Sequence, residues 1–135
     1  DMTIGFEYAS GDWKCGSSLK YSLQSALDMT PGSASYGMQI PYVAKHVIVF
    51  DADASWRRWT LDAVWQMRSG RTDGYGEMPL WHTLDVSFGR SFNLNRAGQL
   101  FLGLRSRNLY DFRYETVSGY PMPGRSILFS VGYKF

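Results

Sequence analysis

The sequence predicts an all-β fold, an antiparallel up-and-down transmembrane β-barrel or a part of one, with about seven strands in its 135 residues. Three observations predict it. Apolar residues recur at every second position over stretches of roughly 8 to 13 residues, the period of a strand that shows one face to an apolar medium. The connections alternate between short and long, which puts tight turns at one end of the meander and long loops at the other. Aromatic residues make up 16% of the chain, and they gather at both strand ends, where amphipathic rings favour the two interfaces of a bilayer.

The strands follow from the alternation. Ile4, Phe6 and Tyr8 oppose Thr3, Gly5 and Glu7. From Leu19 to Asp28, Leu19, Tyr21, Leu23 and Leu27 share a face against Lys20, Ser22, Gln24 and Asp28. Ile48, Phe50, Ala52 and Trp56 oppose Val49, Asp51 and Asp53, and in the next stretch Trp59, Leu61, Ala63, Trp65 and Met67 oppose Thr60, Asp62, Val64, Gln66 and Arg68. Leu84, Val86 and Phe88 oppose Thr83, Asp85 and Ser87; Leu100, Leu102 and Leu104 oppose Arg105 and Arg107. Last come Ile127, Phe129, Val131, Tyr133 and Phe135 against Ser126, Ser130, Gly132 and Lys134.

Short connections are expected at Ser10 to Lys14, Ser55 to Arg58 and Asn93 to Gly98. The long ones, Thr30 to Tyr42, Ser69 to Leu80 and Asn108 to Gly124, are rich in Gly, Pro and Tyr. Trp13, Trp56 and Trp59 fall at the short-turn end, and Tyr36, Tyr42, Tyr75, Trp81, Tyr110 and Tyr114 at the other. Two aromatic belts about 25 Å apart would account for the aromatic load. The polar face, with Lys20, Gln24, Asp51, Asp53, Asp62, Gln66, Arg68, Asp85, Arg105 and Arg107, mixes both signs and suits a wet, hydrogen-bonded lumen rather than a single-sign selectivity ring.

Composition excludes other classes. The net charge is +2 with scattered acidic residues, which provides no basic face for nucleic acid. The chain is too aromatic and too weakly charged for a disordered segment. Val47 to Phe50 is the longest apolar run, against about 20 residues for a membrane-spanning helix. Cys15 stands alone, so no internal disulfide or thiolate zinc site forms, and it is read as an inert small side chain. The chain opens at Asp1 without the pattern of a signal peptide, so any such peptide is expected to be removed or to lie upstream.

No catalytic constellation stands out, and the chain is read as non-enzymatic and without a cofactor. His46 and His82 head two strands at similar height, but two imidazoles without a matching carboxylate do not make a metal site. Asp51 and Asp53 share a face and are expected to pair with a nearby arginine. Gly70, Gly74 and Gly76 read as loop flexibility rather than a phosphate cradle. Single-chain bacterial barrels close with an even number of strands, and a free edge in lipid leaves backbone groups unpaired at several kcal/mol each. Further strands, from another segment or another chain, are therefore expected to pair with both edges.

The stretch Arg107-Asn-Leu-Tyr-Asp-Phe-Arg-Tyr-Glu-Thr-Val-Ser-Gly-Tyr-Pro-Met-Pro-Gly-Arg-Ser126, followed by a strand ending in Tyr133-Lys134-Phe135, resembles the C-terminus of TonB-dependent outer-membrane receptors. Asp28-Met-Thr-Pro-Gly-Ser33, Gln39-Ile-Pro-Tyr-Val-Ala-Lys-His46 and Pro79-Leu-Trp-His-Thr-Leu-Asp-Val-Ser87 look like the family's last barrel hairpins in order. The chain departs from the pattern at Tyr110, where Phe is common, and at Ser106-Arg107, where another Asn is common.

The resemblance implies that residues 1–135 are the C-terminal segment of such a receptor's barrel, about one third of roughly 22 strands, with the plug and TonB box outside these residues. It further implies residence in the outer membrane of a Gram-negative bacterium. There the receptor would import a scarce nutrient, a siderophore, haem, cobalamin or oligosaccharide, on energy that TonB delivers from the inner membrane through the plug. The implied partners are outer-membrane lipid, the remaining strands and plug, TonB and the barrel-assembly machinery. Phe129, Val131, Tyr133 and Phe135 would form the C-terminal signal that this machinery reads, a last strand able to template pairing. Substrate contacts within these residues are expected on the long loops at Tyr36, Tyr75, Arg113, Tyr114 and Tyr120. Pro121 and Pro123 stiffen the last of those loops and Gly124 permits its turn.

Two other readings compete. A small standalone or oligomeric outer-membrane barrel with a structural or adhesive role would need an eighth strand, for which the alternation from Tyr110 to Val117 is the candidate. A soluble ligand-binding β-barrel would have to keep its apolar band from aggregating in water.

Overall fold

A computed structural model describes residues 1–94 and 98–135, and the middle of the turn expected at Asn93 to Gly98 lies outside the described residues. The chain is all-β, with strands β1 (Met2–Ser10), β2 (Trp13–Leu23), β3 (His46–Trp56), β4 (Trp59–Ser69), β5 (Arg71–Thr72), β6 (Glu77–Met78), β7 (Trp81–Asn93), β8 (Gln99–Arg107), β9 (Glu115–Val117), β10 (Tyr120–Pro121) and β11 (Ser126–Lys134). Seven of them make one antiparallel sheet in the order β1-β2-β3-β4-β7-β8-β11. The sheet does not close on itself: β1 and β11 each pair on one side only. The other four form two small hairpins in the long loops, β5 with β6 and β9 with β10.

Side chains directly opposite one another on paired strands share a face, so the register sorts the whole sheet into two surfaces. One row runs across all seven strands as Tyr8, Cys15, Ala54, Leu61, Phe88, Leu104 and Phe129. The adjacent row, on the opposite face, is Glu7, Gly16, Asp53, Asp62, Ser87, Arg105 and Leu128. The period of two in the sequence is therefore kept in register from edge to edge.

Nothing among the described residues covers the apolar face. Phe6, Leu19, Phe50, Leu61, Phe88, Leu104, Phe129 and Val131 are exposed, and among the described residues the buried apolar side chains are Ala44 and Trp81. A two-layer domain would bury such a face against a second layer. This sheet is one layer thick. Its long strands run 9 to 13 residues, against the 9 to 11 or so that a tilted strand needs to cross a bilayer.

The polar face carries a large ring at Phe101, and glycines make room for it. A side chain on Gly89 would come within 2.9 Å of that ring and one on Gly103 within 3.1 Å. The ring therefore lies over bare backbone, which lets an aromatic occupy a face otherwise built from small and charged residues.

Three expectations are corrected. β2 spans Trp13–Leu23 rather than Leu19 to Asp28. Beyond Leu23 the chain turns away, with Gln24 N donating to the Lys45 carbonyl and Leu27 meeting Gln39 in an isolated bridge. The alternation from Tyr110 to Val117 does not add an eighth strand to the sheet, because Asn108 and Asp111 take φ of 49° and 54° and break the extended path, leaving only β9 paired with β10. Trp81 is not a belt residue of the apolar face. It lies opposite Arg68 in register, on the polar face.

Candidate functional site

The long-loop end of the polar face holds the buried side chains of Arg71, Trp81, Thr83 and Asn108, and it is built around Trp81. Only 4% of Trp81 is exposed. Tyr114 stacks on its ring at a centroid distance of 4.5 Å, while the guanidinium groups of Arg68 and Arg71 lie 5.6 and 5.9 Å from its centroid. Arg71, equally buried, ties three segments together by donating to the carbonyls of Pro79, Glu115 and Thr116 at 3.1–3.2 Å. Burial, and then the charge of Arg68, lowers the Arg71 pKa, though a guanidinium stays charged there. Burial and then Asp85 raise the Tyr114 phenol, which keeps it a neutral hydrogen-bonding group.

Beside this cluster lies a cavity of about 500 Å³, whose wall includes Met78, Trp81, Phe112, Arg113, Tyr114, Glu115 and Pro121. Its size is that of a small-molecule site, roughly 300–1,000 Å³. Its aromatic wall can stack a planar or apolar group, and Arg113 and Glu115 on its lining supply one charge of each sign.

Arg113 and Tyr114, two of the residues expected on sequence grounds to face substrate, thus come together on one cavity, and Tyr120 adjoins it through Pro121. Tyr36 and Tyr75 are not brought there. Tyr36 is exposed in the first long loop, and Tyr75, at 101% relative exposure, is the tip of the β5–β6 hairpin. Trp81 and Arg71 were missed as site residues. The signal for Trp81 was in the sequence: it falls in phase with Thr83, Asp85 and Ser87, not with Leu84, Val86 and Phe88. Nothing local marked Arg71, two of whose three carbonyl partners lie 44 and 45 residues away.

The last long loop hangs from Asn108 and Asp111. Asn108, 5% exposed, donates from Nδ2 to the carbonyl of Phe112 at 2.9 Å and accepts the Phe112 N–H at 3.0 Å through Oδ1. Its own N–H donates to Asp85 Oδ1 at 2.9 Å. Asp111 Oδ1 accepts the Arg125 N–H at 2.7 Å, which closes the loop where the chain re-enters the sheet. The Asn-Leu-Tyr-Asp segment is thus a backbone clasp that positions the cavity's second wall.

The first long loop has its own anchor. Asp28 accepts the Ser35 hydroxyl at 2.6 Å, the Thr30 N–H at 2.9 Å and the Ser33 hydroxyl at 2.8 Å, and these bonds hold its carboxyl well below the usual aspartate range. A carboxyl depressed on folding contributes stability that is complete above its unfolded pKa and is lost as pH falls through the folded one. The loop clasp is therefore expected to hold at pH 5 and to weaken only well below the ordinary value of 3.8. An NMR titration followed at the Thr30 amide checks this, and a midpoint at or above 3.8 would overturn it.

The remaining candidates separate. Tyr21 hydroxyl and His46 Nδ1 share a hydrogen bond of 2.9 Å, and His82 sits among Trp65, Tyr110 and Phe112. The two imidazoles head strands on either side of β4, each with its own aromatic partners. Among the described residues Asp51 and Asp53 do not meet an arginine as expected. Asp51 accepts from Ser18 at 3.4 Å, and register places Asp53 between Gly16 and Asp62. Among the described residues the ion pair found is Arg57 with Asp12, between the two tight turns.

β11 pairs with β8 and leaves its other edge open, with all nine of its residues exposed. Phe129, Val131 and Tyr133 are register partners of Leu104, Leu102 and Leu100 on the apolar face, and Phe135 packs edge-on against Tyr133 at 5.1 Å. No protein-family model matches the sequence.

Proposed function

We propose that the chain is a transmembrane wall segment of a TonB-dependent receptor of the bacterial outer membrane, and that the receptor imports a scarce nutrient. The observation that carries the membrane part is the seven-strand sheet with one continuous, uncovered apolar face and one charged face. In water that apolar face is a large aggregation surface; in a bilayer it is solvated. Its two open edges demand further strands, since unpaired backbone in lipid is too costly to persist. The sheet has an odd number of strands, so β1 and β11 run in the same direction, and antiparallel closure needs an odd number more.

The import part leans on the resemblance of residues 107–135 to the receptor C-terminus. The cavity at Trp81 and Tyr114 then belongs to the outer loops, where it is placed to meet substrate. On this reading the polar face is the inner wall of the barrel.

The test uses the full-length protein in intact cells, in a Cys15→Ser background. Tyr75→Cys is expected to react with a membrane-impermeant maleimide from outside, and Arg58→Cys only after the outer membrane is opened. Equal labelling of both, or recovery of the protein without membranes, overturns the barrel. Capture of the same protein by the periplasmic domain of TonB supports import. An inserted barrel that TonB does not bind is instead the structural or adhesive kind.

A further inference from the structure

At the short-turn end of the apolar face, four aromatic rings and two arginines form a second site. Trp13 and Trp56 stack at 5.6 Å, and Trp59 and Phe88 at 5.0 Å. Between the two stacks runs a groove of about 410 Å³, lined chiefly by these rings with Ala54 and Leu61. Leu61 and Phe88 are register partners on the apolar face, so the groove leads from the turns toward the middle of that face.

The arginines crowd its mouth. Arg57 lies 5.1 Å over the Trp56 ring, and Arg90 lies 4.2 Å over Trp59 and 4.6 Å over Phe92. Arg58 belongs to the same turn, and its carbonyl accepts the N–H of Ser91 at 2.9 Å, which brings the turn beside the strand that carries Arg90. Arg57 commits its Nε to Asp12 at 2.9 Å, leaving its remaining N–H groups free of that bond. Arg57 and Arg90 against Asp12 leave this rim positive. Arg90 is the one charged residue in the register rows of the apolar face, and its place at the strand end fits a side chain whose stem lies on apolar surface while its charge reaches the interface.

The geometry points to a binding site for an anionic glycerophospholipid, its phosphate held by Arg57 and Arg90 and an acyl chain laid in the groove between the tryptophan stacks. The inference rests on the membrane reading of the sheet and adds to it a preference for one lipid class. The two halves of the site call for an amphiphile. The groove offers apolar contact without a partner for a polar tail, and the rim offers guanidinium groups, which match phosphate oxygens as paired donors. Short turns face the periplasmic side in such barrels, so the phosphate sits at that leaflet's headgroup level. Each basic residue near an anionic membrane surface strengthens its attraction to that surface roughly fivefold.

The experiment reconstitutes the full-length protein in phosphatidylcholine vesicles containing equal small fractions of dibrominated phosphatidylglycerol or dibrominated phosphatidylcholine, and reads tryptophan quenching. Greater quenching by the anionic lipid is expected, with the excess falling at least fivefold in R57Q/R90Q and in high salt, while quenching by brominated phosphatidylcholine stays unchanged. Equal quenching by both lipids overturns the site and leaves the membrane reading standing. An excess that survives R57Q/R90Q also overturns it, since the anionic lipid is then held elsewhere. Quenching by neither lipid overturns the site and the membrane reading together.

Discussion

Ala63→Arg is expected to stop the sheet from assembling in a membrane, and Val64→Arg, one residue further on, to be tolerated. The two positions lie at the middle of β4 and point to opposite faces. Ala63 sits between Ala52 and Val86 in register, on the apolar face. An arginine on the lipid side at the bilayer midplane costs about 2–4 kcal/mol. Val64 sits between Asp51 and Asp85, so a guanidinium there gains an acidic neighbour on each side and faces a wet interior. Heat-modifiable gel mobility of the full-length protein after folding into liposomes checks both. Equal folding of the two variants would sink the two-faced reading, and improved water solubility of Ala63→Arg without membranes would favour a soluble barrel.

Asn108→Ala is expected to release the last long loop and, with it, one wall of the cavity. The substitution removes both side-chain bonds to Phe112 and places alanine at a φ of 49°. Asparagine accepts that left-handed conformation more readily than alanine. Buried backbone groups left without partners add to the cost, which totals about 2–4 kcal/mol. The loss is local, because the main sheet keeps its ladder. Trypsin should therefore cut faster at Arg113 and Arg125, and amide exchange should quicken at Phe112, while amides of β3 and β4 keep their protection. Asn108→Gly, which retains the backbone freedom but not the bonds, should fall between. Unchanged cleavage in Asn108→Ala would mean that the Asn-Leu-Tyr-Asp segment does not hold the loop.

Both variants touch the same arrangement from different sides. The strands set the height of the site, since β4 and β7 end at Arg68 and Trp81 in register. The loops then complete it, with Arg71 bridging β6 to β9 through the carbonyls beside them. Loosening Asn108 frees Tyr114 from Trp81 without disturbing the strands below.

The alternation of apolar and polar residues determined the strands by itself, because a period of two maps directly onto the two faces of an extended chain and needs no partner to be read. It located six of the seven long strands closely, from Ile4 to Tyr8 through to Phe129 to Tyr133. It failed at β2, where Cys15, Gly16, Ser17 and Ser18 carry no apolar contrast, while Leu27 continued the rhythm by coincidence after the chain had turned away. The two tight turns described in full were equally legible, since only two residues separate Ser10 from Trp13 and Trp56 from Trp59.

What only the tertiary structure decided depends on residues far apart in the chain. Register brings Arg68 to Trp81 and Asp53 to Asp62, and a shift by one residue would have exchanged every face. The positive φ of Asn108 and Asp111 turned an alternating stretch into a clasped loop. Arg71 found two of its three carbonyl partners across 44 and 45 residues, a distance over which no local pattern carries information. The strands were written in local periodicity; the cavity and the tryptophan-lined groove arose where those strands and their loops converged.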